Sequence, residues 1–498
     1  MRQFHFQSVM IMLVGFALCG MFTTPVTAQT YTVLHTFVCT DGWNPTGLVQ
    51  GLDGDFYGTN LYSDTGTSCA TAQGGTFFKI SPGGAYSVLR RFVNTPAGDG
   101  NPAFILQSPW GNFYGTTLAT DNEFYRITPS GAETILAHFC SLTNCADGDS
   151  ASSMIWDWNQ DIRVTTTSGG VMNNGTVLRF TPKGAETVVH TFCELPNCLD
   201  GAQPASMIQA SDGNFYGVTS TGGANTITIG TTTVGAGTVF VMGPHQPFKK
   251  IYDFCSQASC ADGATPASLI QGPDGDLYGT THNFGNIPGN YSYSGCCFGT
   301  IFKITTSGVL TTLYTFCSSY TEDCPGAFDS GYLTMGPLVV GSDGNFYGVN
   351  KRTSDKNDQG VIFQLTPSGS YSVLYLFSPP EGVFPTALFQ GTDGAFYGAN
   401  LIDGGKYLLG NLFRFDMGLA PFIQPVLTFG KVGATVTLLG TNLTGATAVS
   451  FNGTAATIGK VTSTRIETTV PEGATSGRIA VTTPSGVLTS NLPFTVVP

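Results

Sequence analysis

The sequence predicts an all-β protein: a seven-bladed β-propeller of four-stranded blades closed by its N-terminal strand, followed by a small immunoglobulin-like β-sandwich. Three observations predict it. One short motif recurs seven times, each recurrence carries four strand-like apolar runs set apart by tight-turn residues, and near residue 416 the repeats give way to a Thr- and Val-rich segment of a different pattern.

The bulk properties agree with that class. Of 498 residues 41% are hydrophobic and only 10% charged, with Gly, Phe and Tyr abundant, which suits short strands joined by tight turns. The net charge of -12 comes without any Lys/Arg cluster and argues against nucleic acid as a partner. Residues 1–28 read as a secretory signal: Arg2 supplies the positive start, Val9 to Phe22 the apolar run, and Val26-Thr27-Ala28 the cleavage site. The mature chain is expected to begin near Gln29. Cys19 follows Leu18, where a lipoprotein signal needs a small residue, and no later apolar stretch is long enough to span a membrane.

The first motif reads Asp-Gly-x-Phe-Tyr-Gly, at Asp53 to Gly58, Asp212 to Gly217, Asp343 to Gly348 and Asp393 to Gly398. Leu277 replaces Phe in the copy at Asp274 to Gly279, Trp110-Gly111 opens the copy ending at Gly115, and Asn159 to Val164 is a degraded copy. Asp-Gly is the pair a tight hairpin turn requires, so it joins the first two strands of each unit. A Gly-Thr-Val-Phe-Lys-Ile-like third strand follows, then a turn such as Thr366 to Gly369, then a fourth strand ending on Phe. The chain opens with a fourth-strand run at Tyr31 to Phe37, whereas its last unit, residues 384–415, lacks one. The two ends are expected to complete each other and remove two open sheet edges. Residues 59–74, 218–236 and 280–298 form long loops on the face opposite the tight turns, and recognition is expected there.

After a linker at 417–424, the sandwich at 425–498 is read as strands Ala434 to Leu439, Ala446 to Phe451, Ala455 to Val461, Arg465 to Val470, Gly477 to Thr482 and Leu492 to Val497. Gly440-Thr441-Asn442-Leu443, Val449 to Gly453 and Val470 to Ala474 closely resemble the IPT/TIG immunoglobulin-like family. The repeats of 29–416 resemble the tandem repeat called GloVer, found in bacterial proteins with signal peptides and varied C-terminal anchors. Nothing resembling a sorting tail follows the sandwich, and neither resemblance implies a catalytic residue.

With Cys19 removed in the leader, twelve cysteines remain, and an oxidising destination makes disulfides the expectation. Cys140 pairs with Cys145, Cys193 with Cys198, Cys255 with Cys260 and Cys317 with Cys324, each stapling one loop; Cys39 with Cys69 and the adjacent Cys296 and Cys297 complete the set. Zinc is the rival reading, but the spacing and the missing His neighbours disfavour it. The recurring Asp-Gly before each blade, at Asp41, Asp99, Asp147, Asp200 and Asp262, forms turns, with a calcium-binding ring as the competing reading. His35 and His190 fall at one repeat position with Arg90, Tyr252, Tyr314 and Tyr375, which marks an outer strand rather than a catalytic base.

Repeats break their own rule where function intrudes, and the third unit does so with Trp156, Asp157, Trp158, Asp161 and Arg163. Trp beside carboxylates can hold a sugar, and Trp43 is a second stacking candidate. No nucleophile elbow, phosphate loop or His-Glu-x-x-His helix is present. The expected function is therefore a secreted, non-enzymatic binder or scaffold for an extracellular glycan or protein, without cofactor. The alternative is a glycoside hydrolase or lyase, which needs two carboxyl groups about 5 to 10 Å apart in a cleft.

Overall fold

The structure, a computed structural model, describes residues 29–64, 69, 74–93, 100–118, 122–229, 231–243, 247–283, 299–316, 336–351, 360–379, 381–403 and 409–498. The leader, Asp99, Cys296, Cys297, Cys317 and Cys324 lie outside these residues.

Up to residue 416 the described chain forms seven four-stranded antiparallel sheets. Sheets 1 to 6 span residues 43–91, 101–138, 149–191, 202–253, 264–315 and 339–376, each with its strands in sequence order. Sheet 7 takes three strands from residues 383–416 and its fourth, Thr30–Thr36, from the start of the chain, with Tyr31 opposite Phe415. A two-stranded hairpin, Thr226–Ile229 with Thr232–Gly235, stands in the long loop of sheet 4.

The repeat motif is explained by its contacts. The Asp carboxylate accepts the Tyr hydroxyl four residues on, at Asp53–Tyr57 (2.8 Å), Asp212–Tyr216 (2.8 Å), Asp274–Tyr278 (2.7 Å), Asp343–Tyr347 (2.9 Å) and Asp393–Tyr397 (2.8 Å). This locks the turn to its second strand. The last Gly is needed because a Cβ at Gly58 would stand 2.4 Å from the Phe78 ring of the third strand. The Tyr rings also join one sheet to the next: Tyr57 packs on Phe113 (4.5 Å), Tyr278 on Phe346 (4.2 Å), Tyr347 on Phe396 (4.5 Å) and Tyr397 on Phe56 (4.0 Å).

A hydrogen-bond latch runs in the same direction. The Gln ending the first strand accepts the backbone N–H of the preceding sheet's turn: Gln209 from Trp158 (2.8 Å), Gln271 from Ser211 (2.9 Å), Gln390 from Ser342 (2.8 Å) and Gln50 from Thr392 (3.1 Å). Gln107 accepts from Leu52 (2.9 Å), its amide orientation set by its partners. At the donor position sheets 2 and 5 carry Pro109 and Pro273, which have no N–H. Sheets 3 and 6, which follow them, carry Trp156 and Val340 in place of Gln. The acceptor is present in each sheet whose predecessor offers a donor, and replaced in both whose predecessor does not.

The C-terminal segment folds into two four-stranded sheets, with a parallel pair Phe429–Lys431 and Thr495–Val497 beside them. The run read as Ala455 to Val461 is two strands, because the chain crosses at Thr457 from the sheet holding Thr454–Ala456 to the one holding Ile458–Val461. Gly486–Thr489 is an additional edge strand. Ile423, Leu438, Phe451, Ile466, Val481 and Phe494 fill the core.

Candidate functional site

The sandwich is seated on the tight-turn side of the sheets. Thr464 Oγ1 donates to Leu52 O (3.1 Å), Phe422 N to Thr392 O (3.1 Å) and Asn491 Nδ2 to Val340 O (3.4 Å). Phe429 and Val497 join Trp156, Leu427 and Trp158 in one apolar cluster. Beneath the sandwich, where the first strands of five successive sheets end, lies a cavity of about 670 Å³. Trp158, Phe389, Gln209, Gln271, Gln390 and Asn491 are among its lining residues, and no Asp, Glu, His, Lys or Arg lines it among the described residues.

The third unit's exceptional residues divide between structure and cavity. Asp157 is wholly buried; one oxygen accepts Asn159 N and Asp161 N (both 2.9 Å) and the other Arg163 Nε (2.9 Å). In this turn, therefore, Asp157 does the work of the repeat's Asp from two positions earlier. The matching place in sheet 1 is Gly51, where a Cβ would meet the Tyr57 ring at 2.5 Å. The Arg163 guanidinium packs onto the next sheet, 4.8 Å over the Phe215 ring. Trp156 is buried and donates Nε1–H to Gln107 O (2.8 Å). Asp161 titrates above the usual carboxylate range through burial and the neighbouring Asp157, and its carboxylate stands 3.9 Å from Arg179. Trp158 alone of the five lines the cavity. Trp43 lies in sheet 1, beside Tyr62 and packed with Cys39 and Cys69, away from the third unit.

Four disulfides are formed among the described residues, Cys39–Cys69, Cys140–Cys145, Cys193–Cys198 and Cys255–Cys260. In each of the three short loops the following Asp-Gly closes the staple: Asp147, Asp200 and Asp262 accept the N–H groups of Ser141 and Leu142, Glu194 and Leu195, and Ser256 and Gln257, at 2.7 to 3.2 Å. Those carboxylates are thus committed to backbone donors. No group of three or more His, Cys, Asp or Glu able to hold a metal occurs among the described residues. His35 stacks on Tyr86 (3.8 Å) and reaches Asp41 (2.8 Å); His190 stacks on Phe248 (4.0 Å), and burial lowers its pKa. No helix among the described residues is long and apolar enough to cross a membrane.

One residue that sequence reasoning passed over stands out. Trp110 occupies the position of the repeat's Asp, is 57% exposed, and borders a second hollow of about 460 Å³.

The Gloeobacter/Verrucomicrobia repeat matches residues 18–227 and 119–331, together more than half of the chain. The chain belongs to this repeat family. An IPT/TIG domain matches residues 421–496. No curated protein matches the chain. Solved structures similar to this Gloeobacter/Verrucomicrobia repeat protein include a fungal alcohol oxidase of the AA5 family in complex with copper, at 13% identity over 92% of this chain and 100% of that one, TM-score 0.48. YCF48 bound to D1 peptide is 9% identical over 79% of this chain and 97% of that one, TM-score 0.45. A Bacteroides thetaiotaomicron protein of unknown function is 12% identical over 79% and 98%, TM-score 0.37.

Proposed function

We propose that the protein is a secreted, non-enzymatic binder in which residues 29–416 form a closed seven-bladed propeller, 417–424 a linker, and 425–498 a sandwich capping the cavity that receives an extracellular glycan. Closure is supported by the pairing of Thr30–Thr36 with Asn411–Asp416 and by the latch from Thr392 to Gln50, which repeats between sheets 7 and 1 the contact made between sheets 3 and 4. Four disulfides support an oxidising, extracellular destination after cleavage near Ala28.

The observation that carries the binding assignment, and moves it from the long-loop face where the sequence placed it to the tight-turn side, is the cavity's composition: an aromatic face at Trp158 among side-chain amides suits a neutral polyhydroxylated ligand, which stacks its apolar ring face and exchanges neutral hydrogen bonds. The hydrolase or lyase alternative draws no support from Asp157, whose oxygens are occupied by N–H groups and Arg163. A glycan array probed with the secreted protein is expected to give a neutral-glycan signal that Trp158→Ala weakens by about tenfold. Absence of any glycan signal, or one untouched by this substitution, overturns the assignment.

A further inference from the structure

In five repeats the residue opening the tight turn is the Asp that accepts the Tyr hydroxyl; in sheet 2 it is Trp110, and the corresponding Tyr114 donates instead to Pro182 O at a longer 3.2 Å. The exchange forfeits a recurring lock. It also leaves a large aromatic ring 57% exposed, set at 84° to the Trp156 ring with centroids 5.9 Å apart. A fold gains little from such a residue. Binding sites, by contrast, keep rigid aromatic faces uncovered.

What surrounds Trp110 points to the ligand. The hollow it borders is walled on one side by Asp53 and Tyr57 of sheet 1 and on the other by Thr464 and Arg465 of the sandwich. The two walls are fixed relative to each other: Thr464 Oγ1 bonds Leu52 O (3.1 Å), and Gly54 permits the close approach, since a Cβ there would lie 2.6 Å from Thr464 Cγ2. Asp53 keeps 43% of its side chain exposed while held by Lys79 (2.7 Å) and Tyr57. The Arg465 guanidinium stands 3.7 Å from the Glu467 carboxylate, beyond hydrogen-bond length. An aromatic platform, an anchored acceptor and a guanidinium donor thus share one hollow. We propose that this hollow is a saccharide subsite separate from the capped cavity, with a neutral sugar ring stacked on Trp110 and neighbouring hydroxyls donating to Asp53 and accepting from Arg465.

Restoring the repeat's own residue tests it. In the full secreted chain, Trp110→Asp is expected to leave the melting temperature equal to or above that of the parent, because the turn lock returns, and to abolish binding of the oligosaccharide that quenches tryptophan fluorescence best among cellohexaose, xylohexaose, chitohexaose and maltohexaose. Arg465→Gln is expected to weaken that binding about tenfold without moving the melting temperature. Trp158→Ala, which addresses the capped cavity, is expected to leave it intact, so failure of the glycan assignment there and failure here are distinguishable. The proposal is overturned if none of the four sugars binds, if Trp110→Asp binds as the parent does, or if it lowers the melting temperature and thereby reveals a packing residue.

Discussion

Glu186 opens the fourth strand of sheet 3 with one carboxyl oxygen buried and without a hydrogen-bond partner among the described residues. Burial, with a further push from Asp147, raises its pKa from 4.5 to about 7. The folded state therefore holds this proton more tightly than the unfolded chain does. The corresponding stability is fully present below pH 4.5 and is lost as pH rises toward 7. Thermal melts are expected to show the parent losing about 1–2 kcal/mol relative to Glu186→Gln between pH 4.5 and 8, the partial exposure of the group keeping the figure below the full linkage value. Parallel pH profiles would refute the assignment. At this scale the sequence marked the third unit as exceptional but not the reason. Asp157 and Arg163 form a compensated pair, and what hides it from sequence is that the carboxylate moved two positions along the turn while the Tyr it once held became its cationic partner. Trp110 was equally visible, but only the loss of the Asp–Tyr lock in three dimensions marks it as costly.

Among the elements, the latch between first strands couples residues such as Ser342 with Gln390, 48 apart in sequence, and Ser211 with Gln271, 60 apart, and it couples Thr392 with Gln50 across 342. Gln390 is only 2% exposed, so removing its donor leaves a buried amide oxygen unsatisfied. Ser342→Pro is expected to cost about 1–3 kcal/mol by chemical denaturation. Adding Gln390→Val, which copies the natural pairing of Pro273 with Val340, is expected to recover part of it, so that the double variant is less destabilised than the sum of the single ones. Additivity would mean that the two columns vary independently. Both columns can be read in the sequence, but not that one repeat's column meets the other column of the next repeat, which follows from packing between sheets. The same distinction separates the strands that were readable from those that were not. Recurring apolar runs exposed nearly every repeat strand, whereas Gly486–Thr489, an exposed edge strand with little apolar signal, was silent.

For the whole molecule, the proposed ring depends on the chain's first strand. Without Thr30–Thr36, the strand Asn411–Asp416 becomes an open edge, and Tyr31 no longer stacks on Tyr375 (4.6 Å) or accepts from Asn400 Nδ2 (3.1 Å). An unpaired edge beside a gap in the core recruits whatever strand is at hand. That the ends meet was legible because a phase shift in the repeat leaves a surplus fourth strand at the N-terminus and a missing one in the last unit. That the sandwich covers the tight-turn side was not, because its seat joins scattered apolar residues such as Trp156 and Phe429 to small ones such as Gly54 and Thr464, which share no sequence pattern. A mature chain lacking residues 29–36 is expected to self-associate in light scattering and to melt at lower temperature. A synthetic peptide of residues 29–38 added in trans is expected to reverse that association by pairing with the vacated edge. If the shortened chain scatters light and melts like the parent, the N-terminal strand seals nothing, and the closed ring gives way to an open row of sheets.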